Sequence, residues 1–205
     1  MLYGSAMDNV LRASTGDDVL DGRAGHDILD AGTADMVSFD DAVAEISVNL
    51  ALGTSGGFGA GRDTLAGFEQ VLGLRFSNLI ICSAGDDVVQ GGDGNDTMRG
   101  DGGRDTFLIG ASLLGDTDRV VNFVTGAGED VIDVSAIDAN ALASGNQAFV
   151  GGTAAAAGVF VRGLVTVAGV STTNYAFHVD NDAVADMTIA LSGLRTLTAG
   201  TDFIT

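Results

Sequence analysis

Proline, tryptophan and lysine are absent from this 205-residue chain, cysteine occurs once and histidine twice. A lone Cys82 excludes an internal disulfide framework. His26 and His178 stand far apart, and neither lies in an HExxH motif, so the signature of a zinc protease is missing. Nine arginines oppose 28 acidic residues, for a formal charge of −19. No basic face is expected for nucleic acid, and anionic lipid would repel the chain. No apolar run reaches membrane-spanning length, so no membrane insertion is expected. The start, MLYGSAMDNV, lacks the basic and apolar regions of a secretory leader, so any export is expected to use another route.

What is abundant is glycine, with 31 residues, and aspartate, with 25 against three glutamates. Helical acidic proteins favour glutamate, whereas aspartate favours turns and offers a hard oxygen ligand. With 46% apolar residues the chain can still bury a core.

The aspartates recur with a period of nine. ASTGDDVLD (Ala13 to Asp21) is followed in phase by GRAGHDILD (Gly22 to Asp30). CSAGDDVVQ (Cys82 to Gln90) is followed by GGDGNDTMR (Gly91 to Arg99) and GDGGRDTFL (Gly100 to Leu108). In every block position 4 is Gly, position 6 is Asp and position 8 is apolar. Asn9 and Asn78 extend the phase by one unit on the N-terminal side of each cluster. Asp35 follows Asp27 one residue short of the period. FGAGRDTLA (Phe58 to Ala66) fits with Asp63, but the distance from Asp63 to Asn78 breaks the register.

These blocks resemble the RTX calcium-binding nonapeptide repeat, G-G-x-G-x-D-x-U-x. Each unit reads as a six-residue turn and a very short strand, and two units complete a flattened coil of 18 residues. Position 8 then points inward, giving a thin core of Leu20, Leu29, Val89, Met98 and Phe107. Coils about 4.8 Å apart place Asp87 on Asp105, Asp18 on Asp35, Asn9 on Asp27 and Asn78 on Asp96. Two carboxylates at that spacing repel by about 3 kcal/mol at an effective dielectric near 20, so a cation is needed between turns. Calcium suits mixed carboxylate and carbonyl oxygens, whereas zinc would want His or Cys.

The expected calcium ligands, for several ions, are Asp18, Asp27, Asp35, Asp63, Asp87, Asp96 and Asp105, with Asn9 and Asn78 as weaker outer members. The turn residues expected to present carbonyls are Thr15, Gly16, Ala24, Gly25, Ala84, Gly85, Gly92, Asp93, Gly94, Gly102 and Gly103. The sequence departs from the repeat at Cys82 and Ala13, which replace Gly at position 1, and at Met7, which replaces Gly at position 4.

The likeness extends beyond the repeats. Asp35 to Gly73 is similar to the spacer between repeat clusters in serralysin-type metalloprotease C-terminal domains. Asp116 to Asn140 and His178 to Thr205 are similar to their post-repeat and terminal segments. That resemblance implies an all-β fold, a parallel β-roll with a flanking C-terminal β-sandwich. The roll is expected over 1–110, with clusters at about 4–38 and 58–108, and the cap over 111–205. It also implies an uncleaved C-terminal signal, a type I secretion apparatus as partner, an extracellular location and a catalytic domain missing from this chain. A further acidic stretch, Asp180, Asp182 and Asp186, has Ala183 where a calcium turn would want Gly.

The chain is therefore expected to be a non-catalytic module that folds on extracellular calcium. Two alternatives are an extracellular structural or adhesive protein and a carbohydrate-binding accessory like the repeat modules of alginate epimerases. The motif GTSGG (Gly53 to Gly57) fits G-x-S-x-G, but a glycine loop follows it where a hydrolase needs a helix.

Overall fold

The computed structural model describes the chain except residues 58, 74, 111–114, 127–128, 138–149, 153–158, 168–169, 179–185, 194–195, 198–201 and 205. Asp180, Asp182 and Ala183 lie outside the described residues. All regular structure among those described is β, and no helix there is long and apolar enough to cross a membrane.

The local rule is a three-residue strand whose middle side chain points in and whose neighbours point out. Strands numbered in chain order fall into two mainly parallel ladders, the faces of one flattened coil. The first face runs β1 (Leu2–Tyr3), β3 (Val19–Asp21), the second half of β4 (Ile28–Ser38), the second half of β7 (Gly61–Leu72), β9 (Val88–Gln90), β11 (Thr106–Leu108), β13 (Val131–Asp133) and β18 (Phe203–Ile204). Its register stacks Leu2, Leu20, Val37, Val71, Val89, Phe107 and Ile132 in one column. From Leu20 on, every member of that column is buried. Each is worth about 1.5–3 kcal/mol of burial, which explains why position 8 never becomes polar in the repeats.

The second face begins with β2 (Val10–Arg12) and the first halves of β4 and β7, which stack Leu11, Leu29 and Leu65. An antiparallel hairpin then intervenes, β5 (Ile46–Asn49) and β6 (Thr54–Gly57), with β6 on β7 and β5 on β8 (Leu79–Ile81). The parallel ladder resumes through β10 (Thr97–Arg99), β12 (Thr117–Val121) and β17 (Met187–Ser192), stacking Ile80, Met98, Val120 and Leu191. β16 (Val170–His178), β15 (Val159–Val167) and β14 (Val150–Gly152) extend this face.

The two repeat clusters thus belong to one coil, joined through β4, β7 and the hairpin. The coil also runs on past residue 110, because β12 and β13 stack in parallel on β10 and β11. Phe123, fully buried, tilts against Phe107 with ring centroids 6.1 Å apart.

Candidate metal centre

The six-residue turns lie on the two edges of the coil, and position 6 does most of the joining between them. On the edge feeding the second face, the backbone N–H groups of Asn9 and Asp27 donate to Oδ1 of Asp27 and Asp63 at 2.7 and 3.0 Å. Those of Asn78 and Asp96 donate to Oδ1 of Asp96 and Asp118 at 2.7 and 3.0 Å. On the other edge the amides of Asp18, Asp87 and Asp105 donate to Asp35, Asp105 and Asp130 at 2.7, 3.1 and 3.0 Å. Each carboxylate therefore reaches back one coil to an amide. The stacking expected from the sequence is present, with an amide and not a bare second carboxylate as the nearest partner.

Position 5 builds a second ladder in the opposite sense. The amides of His26 and Arg104 donate to Asp8 and Asp86 one coil earlier, at 2.9 and 2.8 Å. Asn95 donates to Ser77 Oγ at 3.1 Å. The position-5 side chains Asp8, Ser77 and Asp86 thus fix the turn one coil later.

Glycine at position 1 makes room for the second carboxylate oxygen. A Cβ on Gly22 would lie 2.5 Å from Asp27 Oδ2, and Gly91 and Gly100 meet Asp96 Oδ2 and Asp105 Oδ2 in the same way. Position 4 brings successive turns together. Gly94, at φ +111°, would put a Cβ 2.5 Å from the Phe76 carbonyl oxygen, so only glycine fits that approach. Gly25 packs on Met7 and Gly103 on Gly85 in the same way, whereas Gly102, at position 3, has room for a side chain beside Ala84. Ala24, Gly92 and Asp93 lie in these packed turns, partly or wholly buried, whereas Thr15 and Gly16 sit in an exposed turn.

The second oxygen is where the site is incomplete. Oδ2 of Asp27, Asp96 and Asp105, and Oδ1 of Asp87, are buried without a hydrogen-bond partner. Burial pushes Asp96, Asp105 and Asp118 up to about 7, against the pull of the amide each one accepts, and nearby carboxylates add to the rise. Asp27, Asp63 and Asp87 are raised for the same first reason. Among the described residues the two ion pairs, Arg12–Asp30 and Arg99–Asp101, lie outside this ladder. Buried, negatively charged, hard oxygens that lack a counter-charge fit a divalent cation of calcium type.

Two positions handle the second oxygen differently. Cys82 fills a position-1 slot, and Asp87 Oδ2 turns to Ser83, accepting from its amide at 2.8 Å and its hydroxyl at 2.9 Å. Cys82 Sγ, Asp87 and Asp105 offer ligand atoms within 4.8 Å of one another. Burial and the surrounding carboxylates raise the Cys82 thiol above its ordinary value, so it stays protonated and is a poor zinc ligand. Asn78 accepts the Ile46 amide at 3.0 Å, and its Nδ2 donates to the carbonyls of Arg75 and Gly91 at 2.9 and 3.1 Å. The amide group there supplies the positive hydrogens that a carboxylate turn lacks.

The family model for the RTX calcium-binding nonapeptide repeat (4 copies) matches residues 3–35 and 73–107. These two segments are RTX calcium-binding repeats. The matched stretches hold most of the position-6 ladder, including every carboxylate with an unpartnered buried oxygen named above. No curated protein matches the chain. Among solved structures, the chain is similar to the AlgE6R3 subunit from the Azotobacter vinelandii mannuronan C5-epimerase, a solution structure. The identity is 17%, the TM-score 0.38, and the coverage 98% of this chain and 80% of that one. The RTX match ends at 107, so the serralysin-type likeness of the later segments rests on sequence alone.

Several ladder members escaped the sequence reading. Glu69 stands 18 residues before Asp87 and accepts the Ala34 amide at 2.7 Å, filling the place next to Asp35. Asp118 and Asp130 lie 22 and 25 residues after Asp96 and Asp105, outside the strict period. Asp202 takes the Gly126 amide at 2.6 Å. The serine of GTSGG, Ser55, is buried in β6 and donates its hydroxyl to Asp63 at 2.7 Å.

Proposed function

We propose that this chain is a secreted calcium-binding RTX module. In this reading the turn edges become fully ordered when the chain meets extracellular calcium after leaving the cell by a type I route. The observation that carries the reading is the set of buried, partnerless carboxylate oxygens on Asp27, Asp87, Asp96 and Asp105, inside segments that match the calcium-binding repeat. Bound calcium would supply positive charge between successive turns. The chain's own residues supply the rest: position-6 aspartates offer oxygens, position-1 glycines keep the space clear, and position-5 side chains hold the next turn in place. Asp18, Asp35 and Asp63 join as ligands, and Asn9 and Asn78 mark weak outer positions.

The roll expected over 1–110 extends in this reading to β12 and β13, whose Asp118 and Asp130 cover the last repeat amides, and the remaining strands to 205 act as its cap. The module is non-catalytic by itself and serves a passenger or catalytic partner. Calcium at 1 to 10 times a site's dissociation constant adds about 0.4–1.4 kcal/mol per site, so several sites acting together are needed to switch a thin-cored coil.

The deciding experiment is far-UV circular dichroism of the full chain during calcium titration, with magnesium as control. Growth of the β signal between about 0.1 and 1 mM calcium, the range of extracellular calcium modules, supports the reading. A spectrum indifferent to calcium overturns it.

A further inference from the structure

We infer a calcium-type cation site outside the repeat turns, formed by Asp21, Asp40 and Asp41. Asp21 is position 9 of its repeat and ends β3, whereas Asp40 and Asp41 lie just past the end of β4, on the next coil of the same face. The three carboxylates offer oxygens within 4.8 Å of one another. Asp21 is 1% exposed, and its Oδ2 is buried without a hydrogen-bond partner. Its Oδ1 is already used, accepting the Arg23 amide at 2.9 Å. The Arg23 guanidinium is turned elsewhere, 5.0 Å from the centroid of the Tyr3 ring.

Asp30 holds the same repeat position one unit later and shows the ordinary solution. It is half-exposed and pairs with Arg12 at 3.2 Å. Asp21 has two further carboxylates where Asp30 has an arginine. A buried oxygen facing two more anions needs a positive charge among them, and a cation shared by all three supplies it. All three ligands are hard and oxygenic, and Asp40 and Asp41 are exposed, which leaves an entry path and room for water to complete a calcium shell. None of its three carboxylates belongs to the position-6 ladder.

The test counts calcium ions bound per full-length chain by equilibrium dialysis at neutral pH. The variants are D40N/D41N, D30N and D87N/D105N. Asp40 and Asp41 are exposed, so their amides leave the coil intact, and circular dichroism of the calcium-loaded protein verifies this. D40N/D41N is expected to bind one ion fewer than the wild type and D30N the same number. An unchanged count in D40N/D41N overturns the site in favour of a proton shared by the carboxylates. Equal losses in D40N/D41N and D30N overturn it in favour of a general charge effect. An unchanged count in D87N/D105N instead counts against the repeat turns as calcium sites and leaves this inference to the D40N/D41N result. As a second readout, terbium emission excited through Tyr3, whose backbone is in register with Asp21, should drop in D40N/D41N.

Discussion

A methyl group added at Gly22 would sit 2.5 Å from Asp27 Oδ2, and the backbone there is not left-handed. Gly22→Ala therefore acts through the carboxylate alone. Overpacking of this kind costs about 1–3 kcal/mol, so the calcium midpoint in a dichroism titration should rise several-fold. Asp105→Asn should act with opposite signs in two conditions. The amide keeps the acceptor for the Asp87 N–H and removes a buried charge whose pKa lies near 7. Near pH 8 without calcium the variant should resist urea better than the wild type, and with calcium it should resist less. Asn78→Asp is the converse, because it gives up two donated hydrogen bonds for a charge. Its ion-free form should be weaker by about 1–3 kcal/mol, with a steeper calcium response on titration.

At the scale of elements, the repeat strands were legible because position 8 and position 6 report two different needs at one fixed spacing. Leu20, Leu29, Val89, Met98 and Phe107 are all buried as the period requires. The hairpin was not legible, since β5 and β6 carry short alternating sequence with no nine-residue phase. The register breaks between Asp63 and Asn78 inside β7, where Leu65 on one face and Val71 on the other are six residues apart and not nine. Asn78 now receives the Ile46 amide from the inserted strand and not an amide from the Asp63 coil. Glu69 was hidden by its longer side chain, although its spacing to Asp87 was in phase. Asp118 and Asp130 were hidden by longer connections, which add residues between turns without changing the ladder. Removing the Asp130 carboxylate with Asp130→Ala should expose the Asp105 amide, and hydrogen exchange at that amide should quicken by an order of magnitude or more.

For the whole molecule, net charge and carboxylate burial together set the response to pH. Asp96, Asp105 and Asp118 sit near 7 in the folded chain and at the ordinary 3.8 when unfolded. Between those values the folded state holds more protons. Ion-free stability should therefore fall as pH rises from about 4 through about 7, at up to about 1.4 kcal/mol per pH unit for each group. Urea titrations in chelator at pH 5 and pH 8 check this, with greater stability expected at pH 5. Excess calcium should weaken or reverse the trend, because protons and the cation compete for the same oxygens. The position-6 ladder also has an arrow. An amide in one coil is covered only when the carboxylate of a later coil arrives, and the last two repeat amides wait for Asp118 and Asp130. Assembly that begins at the C-terminal side thus starts from its own finished lid, and each earlier turn docks onto acceptors already in place. Growth from the N-terminal side would always leave its newest rung open, so pulse-labelled exchange should show the amides of Asp96 and Asp105 shielded before those of Asn9 and Asp18.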